Sequence, residues 1–432
     1  MLFAPLFAVC AFLCGMTLAQ STPKSVFAHF IIGNTYSSNY SDWLDDIQKA
    51  KDAHIDGFAL NIAPSVSYTT QSLDNAYQAA DQLGNFTMFL SFDYLSSGPW
   101  PASSVVQLIN TYKGHSSQAK VDGKPIVSTF EGVGNVGDWP SIKSQVPIFF
   151  MPSWTSLGAP AVASDANVDG ALPWASWPEG ATDMTPSNDE YWKQLLGASG
   201  KALMMAVSPW FYTNIPQWDK NWLWRGDDLW YDRWQQVLEV QPAFVEILTW
   251  NDYGESHYIG PIRPGIPAGA EEYVDAESTP HDHWRDMLPH YIDAYKNGNT
   301  TMPPVEADKL SFWYRLTPTG TCSTGGTTGN TASQGQPVLD PNTVVQDKVF
   351  VDALVKSAAT VTVQIGSGAV TTLQANHAGV NHFSVPLNGQ LGAVTVTVRR
   401  DGQTTASGTG NAIEGSCPSG KMNYNAFVGG SS

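Results

Sequence analysis

Positive charge is scarce in this chain. Its 432 residues hold 22 Lys and Arg against 39 Asp and Glu, a formal charge of −17, and only 14% of residues are charged. Nucleic acids and anionic membrane surfaces are bound through Lys and Arg, so this balance argues against both as partners. Cysteine is also sparse: there are four, and Cys10 and Cys14 fall within the first twenty residues. After residue 20 no run approaches the ~20 apolar residues that a membrane span requires. Several catalytic signatures are missing. No HExxH or CxxC pattern suggests a zinc site. Ser208 sits in "SPWF", which is not a G-x-S-x-G elbow. The Gly-rich stretch 315–337 lacks the Lys-Ser/Thr of a phosphate loop, so no nucleotide site is indicated.

The first twenty residues, "MLFAPLFAVCAFLCGMTLAQ", are apolar and close on small or short side chains. They read as a secretory signal peptide cut after Ala19 or Gln20, although no Lys or Arg precedes the run. A membrane anchor is the alternative, and this run is at its short limit. Removal of the signal leaves Cys322 and Cys417, an even pair with one possible connectivity, which predicts a single disulfide. Sequons at Asn39, Asn85 and Asn299 agree with secretion and are candidate glycosylation sites.

Aromatic rings are abundant: 16 Trp and 16 Tyr accompany the low charge. Such rings fill cores, and they also stack on the apolar faces of sugars while their polar edges hydrogen-bond. A carbohydrate partner is therefore expected.

From Val26 to about residue 300, short apolar runs alternate with helical stretches. The runs are 26–32, 57–63, 86–93, 125–131, 146–152, 170–176, 202–209 and 243–250. They are nearly continuous rather than alternating, as suits parallel strands buried on both faces. Helical candidates at 41–54, 72–84, 103–115, 188–200 and 281–298 have polar starts, with Ser41 or Asp42 as the first N-cap. Residues 21–303 are thus expected to form an α/β catalytic domain, a (β/α)8 TIM-type barrel, with a doubly wound sheet as the competing fold. Residues 304–432 change texture. The stretch 315–337 reads as a linker or exposed loop, and alternating runs then predict a small antiparallel β-sandwich.

The stretch 249–258, "TWNDYGESHY", carries two carboxylates three residues apart, Asp252 and Glu255, after the last barrel strand. On an extended strand they would face opposite ways; a turn permitted by Gly254 would bring them together. Glycoside hydrolysis needs such a pair. The ordinary alternative has Asp252 capping a turn and Glu255 in solvent. The flanking Trp250, Asn251, Tyr253 and His257 and the position at a strand end favour catalysis. Asn34, Asn61, Asp93, Glu131, Trp154, Trp177, Trp210 and Tyr212 fall at the same level of the barrel, although any one Trp could equally be core. His281 and His283, two apart in "HDHWRD", do not share a helix face and read as a helix start.

These motifs resemble those of the fungal α-1,3-glucanases, or mutanases, of glycoside hydrolase family 71. The resemblance rests on "VFAHFIIGNTY", "DGFALNIAP", "LSFDY", "STFEG", "SPWFY" and "TWNDYGESHY", in family order, and continues into "DKLSFWYR". It implies a secreted, inverting α-1,3-glucan hydrolase, endo-acting, with Asp252 and Glu255 as the acid–base pair. Glu255 is assigned as acid and Asp252 as base. Asp93 and Glu131 are expected to bind or orient sugar, together with Asn61, Asn251, Tyr253, His257, Trp154, Trp177, Trp210 and Tyr212. No metal or cofactor and a monomeric chain are expected. A non-catalytic wall-glucan-binding protein and a barrel hydrolase of another α-glucan linkage are the alternatives.

Overall fold

The computed structural model describes residues 24–299 and 303–431, so the segment read as a signal peptide lies outside it. The first part is a mixed α/β fold around a curled, nine-stranded sheet. Its strands are β1 (Ser25–Ile31), β2 (Gly57–Ile62), β3 (Thr87–Asp93), β4 (Lys120–Val121) and β5 (Lys124–Phe130). They continue with β6 (Phe149–Ser153), β7 (Gly170–Ala171), β8 (Ala202–Val207) and, after a hairpin of β9 (Tyr212–Ile215) and β10 (Lys220–Leu223), β11 (Phe244–Ile247). The hydrogen-bonded order is β4-β5-β3-β2-β1-β11-β8-β7, with β6 paired to β5. Apart from the β4–β5 hairpin, these pairings are parallel.

Side chains alternate across each strand, and that alternation divides the core. Phe27, Ala59, Phe89, Met151, Met204, Ala206, Phe244 and Leu248 pack with one another on the inner face of the sheet. Val26, Ala28, Phe58, Leu60, Met88, Leu90 and Val245 face outward into the layer of helices. These helices are α1 (Tyr40–Asp52), α2 (Thr69–Leu83), α3 (Ala102–Tyr112), α4 (Trp139–Gln145), α5 (Ala159–Ser164), α6 (Ser187–Ala198), α7 (Leu229–Val240) and α8 (Leu288–Lys296). The N-cap of α1 is Asn39 rather than Ser41 or Asp42. Its side chain accepts from the Ser41 and Asp42 amides while Asp42 reaches back to the Asn39 amide, a reciprocal capping box. Helix α7 was not expected, because the arc that "LWYDRWQQVLEV" buries includes the polar Arg233 and Gln236 beside Trp230, Trp234 and Val237, which interrupts the apolar stripe.

After residue 303 come β12 (Lys309–Arg315), β13 (Thr328–Gly329), β14 (Lys348–Val355), β15 (Ala359–Ile365), β16 (Thr371–Ala375), β17 (Gly379–Pro386), β18 (Gly392–Arg400), β19 (Gln403–Ile413) and β20 (Ala426–Gly430). They form two four-stranded antiparallel sheets, β17-β14-β12-β20 and β16-β15-β18-β19. Strand β12 shows how the layers join. Leu310, Phe312 and Tyr314 fill the core between these sheets, whereas Trp313 points into the helical layer of the first part. Buried charge adds to this contact, since Arg315 Nη1 donates to Asp227 Oδ1 at 2.8 Å.

The stretch 315–337 is not the loose linker expected from its composition. Strand β13 pairs with β10, and Thr327, Asn330 and Thr331 are buried. Asn330 explains the anchoring: its Oδ1 accepts from the Gly180 amide at 2.7 Å and its backbone N–H donates to the Leu223 carbonyl. The predicted Cys322–Cys417 disulfide is formed and ties the beginning of this stretch to the chain before β20. Among the described residues, no helix is long and apolar enough to cross a membrane.

Candidate active site

The chain leaves β11 through Leu248, Thr249 and Trp250, and the loop that follows closes on itself. The Thr249 amide donates to the His257 carbonyl and the Ile259 amide donates back to Thr249, so residues 250–258 protrude as one loop from the strand end. Within it a single 3-10 turn, Tyr253–Glu255, is capped by Asp252, whose Oδ1 accepts from the Glu255 amide at 3.2 Å. Gly254 was expected to make the turn possible. The left-handed position is instead Ser256, at φ 58°. Asp252 therefore does cap a turn, as the ordinary reading held, and the same geometry turns both carboxylates to one side.

One oxygen of Asp252, one of Glu255 and one ring nitrogen of His257 lie within 4.8 Å of one another. Both Glu255 oxygens are engaged: Oε1 accepts from Lys220 Nζ at 2.7 Å, and Oε2 lies 2.9 Å from His257 Nε2. Lys220 arrives on β10, which no motif had singled out. Its distance of 35 residues from Glu255 in the chain hid the pairing, and only the unexpected hairpin brings it here.

The electrostatics separate the two carboxyls. Burial raises the Asp252 carboxyl above its ordinary range, and the neighbouring Glu255 charge raises it further. Burial acts on Glu255 in the same sense, but the Lys220 ammonium and His257 outweigh it and hold this carboxyl well below the usual range. The expected assignment had the proton on Glu255; these shifts run the other way, Asp252 up and Glu255 down. Asp252, Glu255 and His257 also have the donor set of a small metal site. The Lys220 ammonium already supplies the compensating cation at Glu255, so the arrangement fits an acid–base pair better than a cation site.

Other expected residues divide into two groups. Asp93 Oδ1 accepts from the Leu95 and Ser96 amides at 2.9 and 2.8 Å, and Asn61 Nδ2 lies 3.5 Å from Asp93 Oδ2. Glu131 accepts from the Ser156 amide and hydroxyl, and with Tyr94, Trp174 and Ser156 it lines a cavity of about 710 Å³. Trp177 is half-buried, stacked on Trp224 at 5.3 Å and 5.5 Å from His257. The second group is structural. Trp154, Trp210, Tyr212 and Tyr253 are all at most 2% exposed, because apolar packing around their rings outcompetes a place on the cleft. Asn251 clamps the end of β1, accepting from the Ile31 amide and donating to the Ile31 carbonyl. Beneath the site, His29 Nδ1 lies 2.6 Å from Glu246 Oε1, and the His29 ring packs edge-on against Trp174. This buried pair was not anticipated either.

The chain matches Glycosyl hydrolase family 71 over residues 22–432. It belongs to that family. This family 71 chain is 37% identical over 420 residues to a glucan endo-1,3-alpha-glucosidase of Schizosaccharomyces pombe, covering 94% of each. It is also 37% identical to a mutanase of Penicillium rubens, over 95% of this chain and 89% of that one. Among solved structures, an endo-alpha-mannosidase of glycoside hydrolase family 99 from Bacteroides thetaiotaomicron superposes with a TM-score of 0.52 at 15% identity, over 64% of this chain and 98% of the other. That likeness concerns the fold. The family 71 chain is accordingly a glycoside hydrolase.

Proposed function

We propose that this chain is a secreted hydrolase that cleaves internal α-1,3-glucosidic linkages of α-1,3-glucan, with Asp252 as general acid and Glu255 as general base. The observation that carries this reading is the pair itself. Two carboxyls on one capped turn are shifted in opposite directions, Asp252 up by burial and the Glu255 charge, and Glu255 down by Lys220 and His257. The α-1,3 linkage follows the Schizosaccharomyces pombe relative, a glucan endo-1,3-alpha-glucosidase, with the Penicillium rubens mutanase in agreement through the family resemblance. Secretion follows the N-terminal apolar stretch, the disulfide and the exposed positions of Asn39, Asn85 and Asn299, which we read as glycosylation sites.

In the reaction, Asp252 gives its proton to the glycosidic oxygen as the bond from that oxygen to the anomeric carbon breaks. Glu255 takes a proton from the water whose oxygen bonds to the same carbon. Inversion, which the family resemblance implies, places that water between the carboxyls and needs a span of about 6.5–9.5 Å. With their nearest oxygens within 4.8 Å, inversion requires the pair to open as sugar and water enter. We also assign residues 21–303 to a catalytic (β/α)8 barrel and 304–432 to a sandwich domain. The Asp169 amide to Phe150 carbonyl and Leu172 amide to Pro152 carbonyl hydrogen bonds support ring closure between β6 and β7. The test is incubation with α-1,3-, α-1,4- and β-1,3-glucans while product anomers are followed by proton NMR from the first minutes. Initial β-anomer from α-1,3-glucan alone is expected. No release from α-1,3-glucan contradicts the substrate, and initial α-anomer contradicts inversion.

A further inference from the structure

We propose that a second cavity, of about 310 Å³, is a glucosyl-binding subsite for the polymer beyond the reacting linkage, built half from the β9–β10 hairpin and half from the stretch after β13. This rests on the glucanase reading above and extends it to a part of the chain outside the barrel. The cavity is lined on one side by Asp219, Asn221 and Trp222 and on the other by Thr331, Ala332 and Val338. Its volume is at the lower end of the ~300–1,000 Å³ typical of small-molecule sites, enough for a sugar ring rather than a long segment. The wall chemistry suits a sugar: hydroxyl, amide and carboxylate groups beside an indole and a Val338 side chain that is 54% exposed.

Position is the stronger argument. Strand β10 carries Lys220, held on Glu255, and two residues later Trp222, which lines this cavity. Ser333 lines both this cavity and the larger one beside Glu131, so the two share a wall. On the far side Asp93 exerts its charge on Lys220, and its neighbours Tyr94 and Leu95 line the larger cavity. Both depressions thus adjoin residues that act on Lys220 and through it on Glu255, the smaller along β10 and the larger beside Asp93. At the hairpin tip Trp218 is 54% exposed, whereas each of the other Trp residues is buried or half-buried. Pro216 and Asp219, its neighbours in the chain, line the same cavity.

The opposing wall is held in place in advance. Gly329 and Leu339 exchange backbone hydrogen bonds, Trp224 Nε1 donates to Gln336 Oε1 at 2.7 Å, and Thr327 Oγ1 donates to Asn221 Oδ1 at 2.7 Å. A wall that needs no ordering on binding keeps more of its contact energy as affinity. The stretch composed like a linker thus serves as part of the substrate cleft.

Ala332 is exposed, lines only the smaller cavity, and is the position to fill. Wild type and Ala332→Trp are compared on insoluble α-1,3-glucan and on a short α-1,3-linked glucoside with an activated leaving group, with thermal melting to verify folding. The expected result is about a tenfold loss of kcat/KM on the polymer and an altered product-length distribution, with the short substrate unchanged within about twofold. Unchanged polymer kinetics and products would overturn the subsite, as would an equal loss on both substrates. Should Ala332→Trp melt early, Val338→Asp on the same wall is held to the same outcomes. Failure of the wild-type protein to release sugar from α-1,3-glucan would instead overturn the substrate reading, and the subsite with it.

Discussion

Lys220 Nζ lies 2.7 Å from Glu255 Oε1, and through this contact a hairpin absent from the strand pattern sets the charge of the candidate base. Lys220→Met removes the cation while leaving the burial that pushes Glu255 up. The Glu255 carboxyl then titrates at higher pH, so the acid limb of kcat/KM moves to higher pH and activity falls at least ~tenfold on that limb. Lys220→Arg is expected to keep most of the limb in place. A pH profile of the Met variant that superposes on wild type would contradict the role.

Glu131 lines the larger cavity, with its carboxylate held by Ser156 rather than by the acid–base pair. A residue that binds sugar equally in ground and transition states affects KM more than kcat. Glu131→Gln is therefore expected to raise KM for α-1,3-linked oligosaccharides by about tenfold and to leave kcat within about threefold. Initial-rate kinetics decide this, and a loss confined to kcat would place Glu131 in the chemistry instead.

His382 joins the two parts of the chain through Asp228 at the start of α7 and Asp352 on β14, each at 2.7 Å, with the Tyr231 ring stacked at 4.4 Å. Burial alone would lower the imidazolium, but hydrogen bonds to the two carboxylates outweigh it and raise it from 6.5 to about 9. Because the folded value lies above the unfolded one, its stabilisation is fully present below ~6.5 and is lost as pH rises through about 9. Linkage bounds the effect at about 3 kcal/mol. Melting temperature is expected to decline between those values, and His382→Gln, with a lower melting temperature at neutral pH, should flatten that decline. An equally steep decline in the variant would contradict the assignment.

The strands of the curled parallel sheet were readable because burial on both faces leaves uninterrupted apolar runs, and those of the later antiparallel sheets because burial on one face leaves alternation. Helix α7 was not, since the buried Arg233 and Gln236 interrupt the apolar stripe that identifies a helix. Asp252 and Glu255 were visible as neighbours in the chain, whereas Lys220 and the 331–338 wall reach the cleft only through β9, β10 and β13. Composition misled for 315–337, because Gly, Thr and Ser can be ordered by a few buried hydrogen bonds such as those of Asn330. Position at a strand end likewise could not separate Trp177, beside His257, from Trp154 and Trp210, which pack inside.

The order of protonation within the pair is tested most directly by leaving-group dependence. A general acid becomes dispensable when the leaving group needs no proton, whereas the base that activates water does not. Asp252→Asn and Glu255→Gln are compared on α-1,3-glucan and on an α-1,3-linked glucosyl donor with an activated aryl or fluoride leaving group. Both variants should lose at least ~10²-fold on the glucan. Asp252→Asn should retain substantial turnover of the activated donor and Glu255→Gln should not. The opposite pattern, with the activated donor spared in Glu255→Gln, would contradict the assignment of Asp252 as acid.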